Sequence, residues 1–184
     1  MPLVHHNFPD HKVSENTEIL IIGTFHPEAE IAADFFYGRP RNYLWSLLPG
    51  CWNQPSLKYQ PQTDKETLME EKRIDFCDLI QTVDVELGEE DNVDDIYIDP
   101  RIVDWQDTIA LITQLKKLKA VYFTRKTFEK IPNIKQRIRT IQSHCHANNI
   151  RFSLLNTPAR YSNATKQEEW KRIIAIQNLT LVLP

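Results

Sequence analysis

Two short stretches of this chain carry side chains whose types and spacing suit chemistry on a flat, polar ring. The first is a run of large aliphatics that ends in a glycine and a loop, Ile19-Leu20-Ile21-Ile22-Gly23-Thr24-Phe25-His26-Pro27. The second follows closely, as Phe35-Phe36-Tyr37-Gly38-Arg39-Pro40-Arg41-Asn42-Tyr43-Leu44-Trp45. The aliphatic run predicts a buried strand that delivers its loop at the carboxyl end, where open α/β sheets bind ligands. Flat rings, a proline of fixed φ and an amide suit a nucleobase better than a phosphate or a sugar alone. The alternative is that these aromatics are ordinary core beside a tight turn.

The elements that must hold these loops follow from the pattern of apolar residues. Residues 1–17 read as an irregular lead-in, with His5-His6 in a fraying end. Four consecutive aliphatics make Glu18 to Gly23 a central strand covered on both faces. Asn42 to Leu48 predicts a short helix stopped by Pro49-Gly50, and residues 64–72 a charged helix. Arg73 to Ile80 is short and ambiguous. Glu86 to Asp99 reads as a solvated acidic loop, since its carboxylates lack the spacing and turn glycine of a calcium site. Ile102, Trp105, Ile109, Ile112 and Leu115 recur at helical spacing and predict one amphipathic helix through Lys117. Ala120 to Thr124 is the next strand, and Phe128 to Ile131 a helical turn. Ile134, Ile138, Ile141 and Cys145 mark a helix stripe, Arg151 to Leu155 the last strand, and Trp170, Ile173, Ile174 and Gln177 a final helix. Strands alternating with helices predict a three-layer α/β/α fold with a small, mostly parallel central sheet, in a single domain over residues 1–184.

Composition narrows the function classes. At 184 residues and 41% hydrophobic the chain can bury one substantial core, and 11 Pro against 4 Gly imply rigid connections. Cys51, Cys77 and Cys145 lack CxxC spacing and read as buried thiols of a reducing compartment. Neither a secretory signal nor a membrane span is recognisable, so the expected location is cytoplasmic. The net charge of −3 conceals a strong segregation. Residues 64–107 hold 16 acidic and 4 basic side chains, and residues 108–184 hold 14 basic and 3 acidic. Such a chain can present a cationic face to a phosphate backbone, unless its two halves neutralise one another on folding. Metal readings are weak, because adjacent residues such as His144-Cys145-His146 point about 100° apart on a helix. No Gly-rich dinucleotide or Walker loop is present. No cofactor and no metal are expected.

Three ordered motifs carry a family resemblance. Gly23-Thr24-Phe25-His26-Pro27 is the first, Phe36-Tyr37-Gly38-Arg39 leading into Pro40-Arg41-Asn42-Tyr43-Leu44-Trp45 the second, and Leu155-Asn156-Thr157-Pro158-Ala159-Arg160-Tyr161-Ser162 the last. Between them lie Ile74 to Ile80, Asp91 to Ile96 and Phe123 to Phe128. This order resembles the uracil-DNA glycosylase superfamily, and its mismatch-specific and hypoxanthine-removing branches more than its main uracil enzymes. The resemblance implies a small parallel sheet with the site at the carboxyl ends of its strands. It also implies a monofunctional DNA glycosylase acting on duplex DNA without a cofactor, and no protein partner. An iron–sulfur cluster, which some relatives carry, would need four thiolates where this chain has three cysteines. Two departures stand out. The family commonly has Asp or Asn in the first motif to hold the attacking water, where this chain has Thr24, Phe25 and His26, and the last motif has Asn156 where the main uracil enzymes carry His.

Residue roles follow from that resemblance. Phe25, Phe36, Tyr37 and Asn42 form the expected base-binding set, in which Phe36 or Tyr37 would stack on an extruded base. Asn42 would read a base edge or hold the pocket closed, and its alternative is an N-cap for the following helix. His26 would donate to the leaving base or position water. Asp75 or Asp78 would stabilise the sugar cation, and the alternative for Asp78 is to cap or pair on the outside. Arg39, Arg41, Thr157, Arg160 and Ser162 form the expected nucleic-acid grip, with Arg160 either pairing with phosphate or wedging into the gap left by a flipped base. The reaction would be hydrolysis of the N-glycosidic bond of a deaminated or mismatched base, uracil or hypoxanthine, in duplex DNA. The alternatives are a non-catalytic nucleic-acid-binding relative, and an α/β protein that binds a free nucleoside or another small ligand.

Overall fold

A computed structural model describes residues 2–28 and 35–175. Its strands are β1 (Leu3–His5), β2 (Ile19–Gly23), β3 (Ile74–Asp78), β4 (Ile80–Asp84), β5 (Ile102–Trp105), β6 (Ala120–Phe123) and β7 (Arg151–Leu154). Its helices are α1 (Leu44–Gly50), α2 (Gln62–Lys72), α3 (Asp95–Ile98), α4 (Thr108–Gln114), α5 (Pro132–Ala147) and α6 (Ala164–Ala175). The order β3-β2-β6-β7 forms a parallel sheet, and β1-β4-β5 a smaller antiparallel one.

Alternation along β2 divides the core in two. Leu20 and Ile22 face one way, with Val121 and Phe123 of β6, and meet Ile112 of α4 and Ile134, Ile138, Ile141 and Cys145 of α5. Ile19 and Ile21 face the other way, with Ala120 and Tyr122, and meet Leu44, Trp45, Leu47 and Leu48 of α1, Leu68 of α2 and Trp170 of α6. A strand wanted on both faces must be aliphatic at every position, and β2 is buried throughout. The result is a parallel sheet with helices on both sides. No described helix is long and apolar enough to cross a membrane. Burial pushes the Cys51 thiol up to about 12 and that of Cys145 to about 11, as expected of unreactive core cysteines.

Several local expectations are corrected. The lead-in is not irregular throughout: β1 pairs antiparallel with β4, Val4 against Val83. Ile102 and Trp105 belong to β5 rather than to a helix, and α4 starts only at Thr108, where the Asp107 side chain accepts the Ala110 N–H. Their helical spacing is coincidental, because Asp107 restarts the backbone between them. Pro49 lies inside α1 rather than stopping it. Residues 128–131 form a turn and no helix. The ambiguous segment 73–80 supplies β3 and the start of β4. Gln177 lies outside the described residues.

The acidic stretch is also more than a solvated face. Asp94 caps α3 by accepting from the Ile96 N–H. Asp99 is buried, and its carboxylate accepts from the N–H groups of Asn133 (3.1 Å) and Ile134 (2.7 Å) at the start of α5. A helix start lacking a cap from its own N-cap residue is thus capped from 35 residues away. Asp99→Ala removes both bonds, and we expect a loss of about 1–3 kcal/mol, read as a lower urea midpoint at unchanged slope. An unchanged midpoint would show that water replaces the carboxylate.

Candidate active site

The parallel register places Gly23, the last residue of β2, beside Asp78, the last residue of β3. Asp78 has a fully buried side chain and takes two imidazoles on one oxygen. His6 Nε2 lies 2.8 Å and His26 Nδ1 2.5 Å from Asp78 Oδ2. The far nitrogens of both rings are occupied as well. The Phe8 N–H donates to His6 Nδ1 at 3.1 Å, and the Tyr37 N–H to His26 Nε2 at 3.0 Å. A backbone N–H can only donate, so each far nitrogen holds a lone pair and each near nitrogen holds the proton. The tautomers are set by the backbone, and both protons point at Asp78. Burial would raise the Asp78 carboxyl, but the facing His26 and His6 outweigh it and hold the group well below the usual carboxylate range.

The other oxygen, Oδ1, is buried and has no hydrogen-bond partner among the described residues. It lies against Gly23, where a Cβ would approach it to 2.2 Å and the Tyr37 hydroxyl to 2.8 Å. No residue larger than glycine fits there without displacing the carboxylate. The Tyr37 hydroxyl contacts Thr124 Oγ1 at 3.4 Å, at the end of β6. Burial first, and the Asp78 charge next, push the Tyr37 phenol and the Cys77 thiol well above their ordinary values, so both stay protonated beside the carboxylate. Tyr37 itself has a positive φ of 57°, a conformation uncommon for a bulky side chain.

His6, His26 and Asp78 also have ligand atoms within 4.8 Å of one another, the span of a metal site. Their outer contacts have the wrong polarity for one. A metal-bound imidazole donates its far N–H outward, whereas these two accept there. The two rings are set to donate to Asp78.

The anticipated residues fall into three groups. His26 and Asp78 come together, but both nitrogens of His26 are taken, so it orients Asp78 instead of reaching outward. Asp78 is inside, excluding the alternative of an outer cap or ion pair. Phe36 is enclosed by the rings of Phe8 (4.6 Å), His11 (4.9 Å) and Phe76 (5.8 Å). In this conformation it packs among these rings while also lining a cavity. Phe25 joins the core on the α4–α5 side, its ring 6.4 Å from that of His6. Asn42 uses Oδ1 to accept the Leu44 N–H at the start of α1, with Tyr43 as the N-cap residue.

The arginine-bearing turn and the last motif pair with each other. Asn42 bridges Ala159, the Tyr43 N–H donates to the Pro158 carbonyl and the Arg160 N–H to the Arg41 carbonyl, both at 2.9 Å. Arg41, Thr157, Arg160 and Ser162 are exposed, and Arg39 is half-buried. The Thr157 hydroxyl accepts the Ala159 N–H and keeps its own proton to donate. Asn163 Oδ1 accepts from the Lys166 N–H at the head of α6.

Four contributors were not anticipated. His6 was assigned to a fraying end, yet it is 5% exposed. His11 and the Ser14 N–H both bind Asp75, each at 2.8 Å, and hold the N-terminal segment against β3. Asp95 pairs with Arg125, and burial raises its carboxyl against the pull of Arg125 and of the neighbouring Thr24 side chain. Lys166 is buried and sends Nζ to the carbonyls of Thr157 (2.9 Å), Tyr161 (2.7 Å) and Ala159 (3.5 Å). Only the His and Asp residue types hinted at the first three. A cavity of about 850 Å³ is lined in part by His6, Phe8, Phe36, Asp78, Gln106 and Thr108.

No protein-family model matches this chain. No curated protein matches it. Among solved structures, the chain is similar to the solution NMR structure of a protein from Methanosarcina acetivorans whose designation as a uracil DNA glycosylase is itself provisional. The two share 22% identity with a TM-score of 0.60, over 88% of this chain and 91% of the other. The likeness is one of fold: this chain has the uracil-DNA glycosylase-like α/β architecture.

Proposed function

We propose that this protein is a monofunctional DNA glycosylase that hydrolyses the N-glycosidic bond of a deaminated base, uracil or hypoxanthine, extruded from duplex DNA. The observation that carries the reading is the ionised Asp78 carboxylate at the end of β3, whose Oδ1 has no hydrogen-bond partner among the described residues, within a glycosylase-like fold. A carboxylate only accepts hydrogen bonds. Deamination turns a ring nitrogen of cytosine or adenine from an acceptor into an N–H donor. An acceptor-only group therefore favours uracil and hypoxanthine over their parent bases, which present a lone pair to it. Discrimination of this kind is strong because the wrong base leaves buried polar groups unpaired.

Access for the base requires Tyr37 and its neighbours to yield space around Asp78. The exposed loops 39–43 and 157–162 form the DNA grip, with Arg41, Arg160 and the Thr157 hydroxyl on phosphates. The bond between C1′ and the base breaks through a cation-like sugar, and water completes the hydrolysis. Asp95 compensates for the first motif's missing carboxylate, since it neighbours the Thr24 side chain of the same loop. A carboxyl raised by burial is the better base, so Asp95 takes the role of holding and activating water.

The direct test uses duplex oligonucleotides carrying uracil, hypoxanthine, xanthine or mismatched thymine, with alkali to open abasic sites. We expect strand scission at uracil or hypoxanthine that EDTA leaves unchanged; tight DNA binding with an uncut panel would favour a non-catalytic relative. In single-turnover experiments Asp95→Asn should lower the rate by about 10²–10⁴-fold while duplex affinity holds, and an unaltered rate would remove Asp95 from the chemistry. Arg160→Ala should weaken duplex binding and flatten its salt dependence by about one counterion. An unchanged slope with slower flipping would make Arg160 a wedge.

A further inference from the structure

The N-terminal segment is stitched to the triad rather than laid over it. β1 pairs with β4, His6 bridges Pro27, the Asn7 N–H donates to the His26 carbonyl and the Glu28 N–H to the His5 carbonyl, both at 2.8 Å. Further along, His11 and the Ser14 N–H clasp Asp75. This stitching delivers His6 to Asp78 across 72 residues of sequence. We propose that His6 is a positioning residue of the base-reading site: its Nε2–H holds Asp78 Oδ2, so that Oδ1 alone is presented, ionised, to the ring N–H of an extruded base. The proposal rests on the glycosylase reading for its ligand and on the geometry for its mechanism.

The surroundings of Asp78 leave little else to perform this task. His26 supplies the second donor from the first loop, Tyr37 contributes a protonated phenol from the aromatic turn, and Cys77 a protonated thiol from β3 itself. Neither the phenol nor the thiol brings a positive charge. The ionised carboxylate is therefore held by two imidazole N–H groups, and losing one lets burial dominate. The sign follows. A carboxyl held below its ordinary range rises when a donor is removed, so an activity that needs the carboxylate loses its acid side first.

Two variants and two readouts test this. His6→Phe keeps ring volume and removes the donor, whereas His6→Gln keeps an N–H at similar reach. Carboxyl ¹³C NMR of the free protein follows the titration of Asp78 without any DNA. We expect His6→Phe to raise it by about one unit or more, His6→Gln to restore most of the shift, and the acid limb of the single-turnover rate on uracil or hypoxanthine duplexes to move upward in parallel. An Asp78 titration in His6→Phe that matches the native protein overturns the proposal. If His6→Phe fails to fold, His6→Gln decides: native titration supports a donor role, and a raised one refutes it. A native protein inactive on every duplex defeats the glycosylase reading, while the carboxyl titration still decides the role of His6.

Discussion

A buried negative charge is the constraint on which the rest of this molecule depends. Taking a carboxylate out of water is prohibitive unless hydrogen bonds replace the solvent. Asp78 obtains them from two segments remote in sequence, through His6 and His26. Each imidazole needs a partner of its own, which the backbone at Phe8 and Tyr37 provides. The aromatic turn, the first loop and the N-terminal segment thus converge because one carboxylate requires all three. Gly23 completes the arrangement by having no side chain where Oδ1 must lie.

Charge segregation along the sequence is partly cancelled in space. The acidic stretch sends Asp95 to Arg125 and Glu86 to Arg101, and Asp91 lies where its field acts on Arg39. On the basic side, Lys126 pairs with Glu169. Arg137 donates to the Gln106 carbonyl and lies over the Trp105 ring at 5.6 Å, a packing role rather than a nucleic-acid contact. The surplus of cations in the last 77 residues therefore overstates the cationic surface available to DNA. Arg41 and Arg160 are exposed and adjacent through their backbones, and Lys130, Lys135 and Arg139 are exposed as well.

Periodicity revealed the strands β2, β6 and β7 and the helix α5, because each has a core face that only one residue class fills. It misled at Ile102 and Trp105, where irregular pairing with β4 breaks the two-residue alternation of a strand, and Asp107 settles the boundary. Asp78 was visible as a carboxylate in a segment of family resemblance, but its burial was not, since an aspartate in a short ambiguous segment reads equally well as surface. His6 was invisible for a different reason. Its importance comes entirely from a partner 72 residues away, and local sequence contains no record of that pairing. Asp95 and Asp99 were lost in a run of like charges whose individual members face different ways.

The loop that follows β7 has an unusual internal tether. Surface loops are generally the least ordered parts of a fold. Here a buried ammonium from the next helix gathers the carbonyls of Thr157, Ala159 and Tyr161, matching its three hydrogens to three acceptors, with the Tyr161 ring 3.9 Å from the charge. Folding has then already removed most of the conformational entropy that a binding loop normally surrenders to its ligand. Because the acceptors are neutral and the ammonium is buried, ions in solution have little leverage on the tether. A ligand would meet the loop as a rigid template, and its shape, more than its charge, would decide what it accepts.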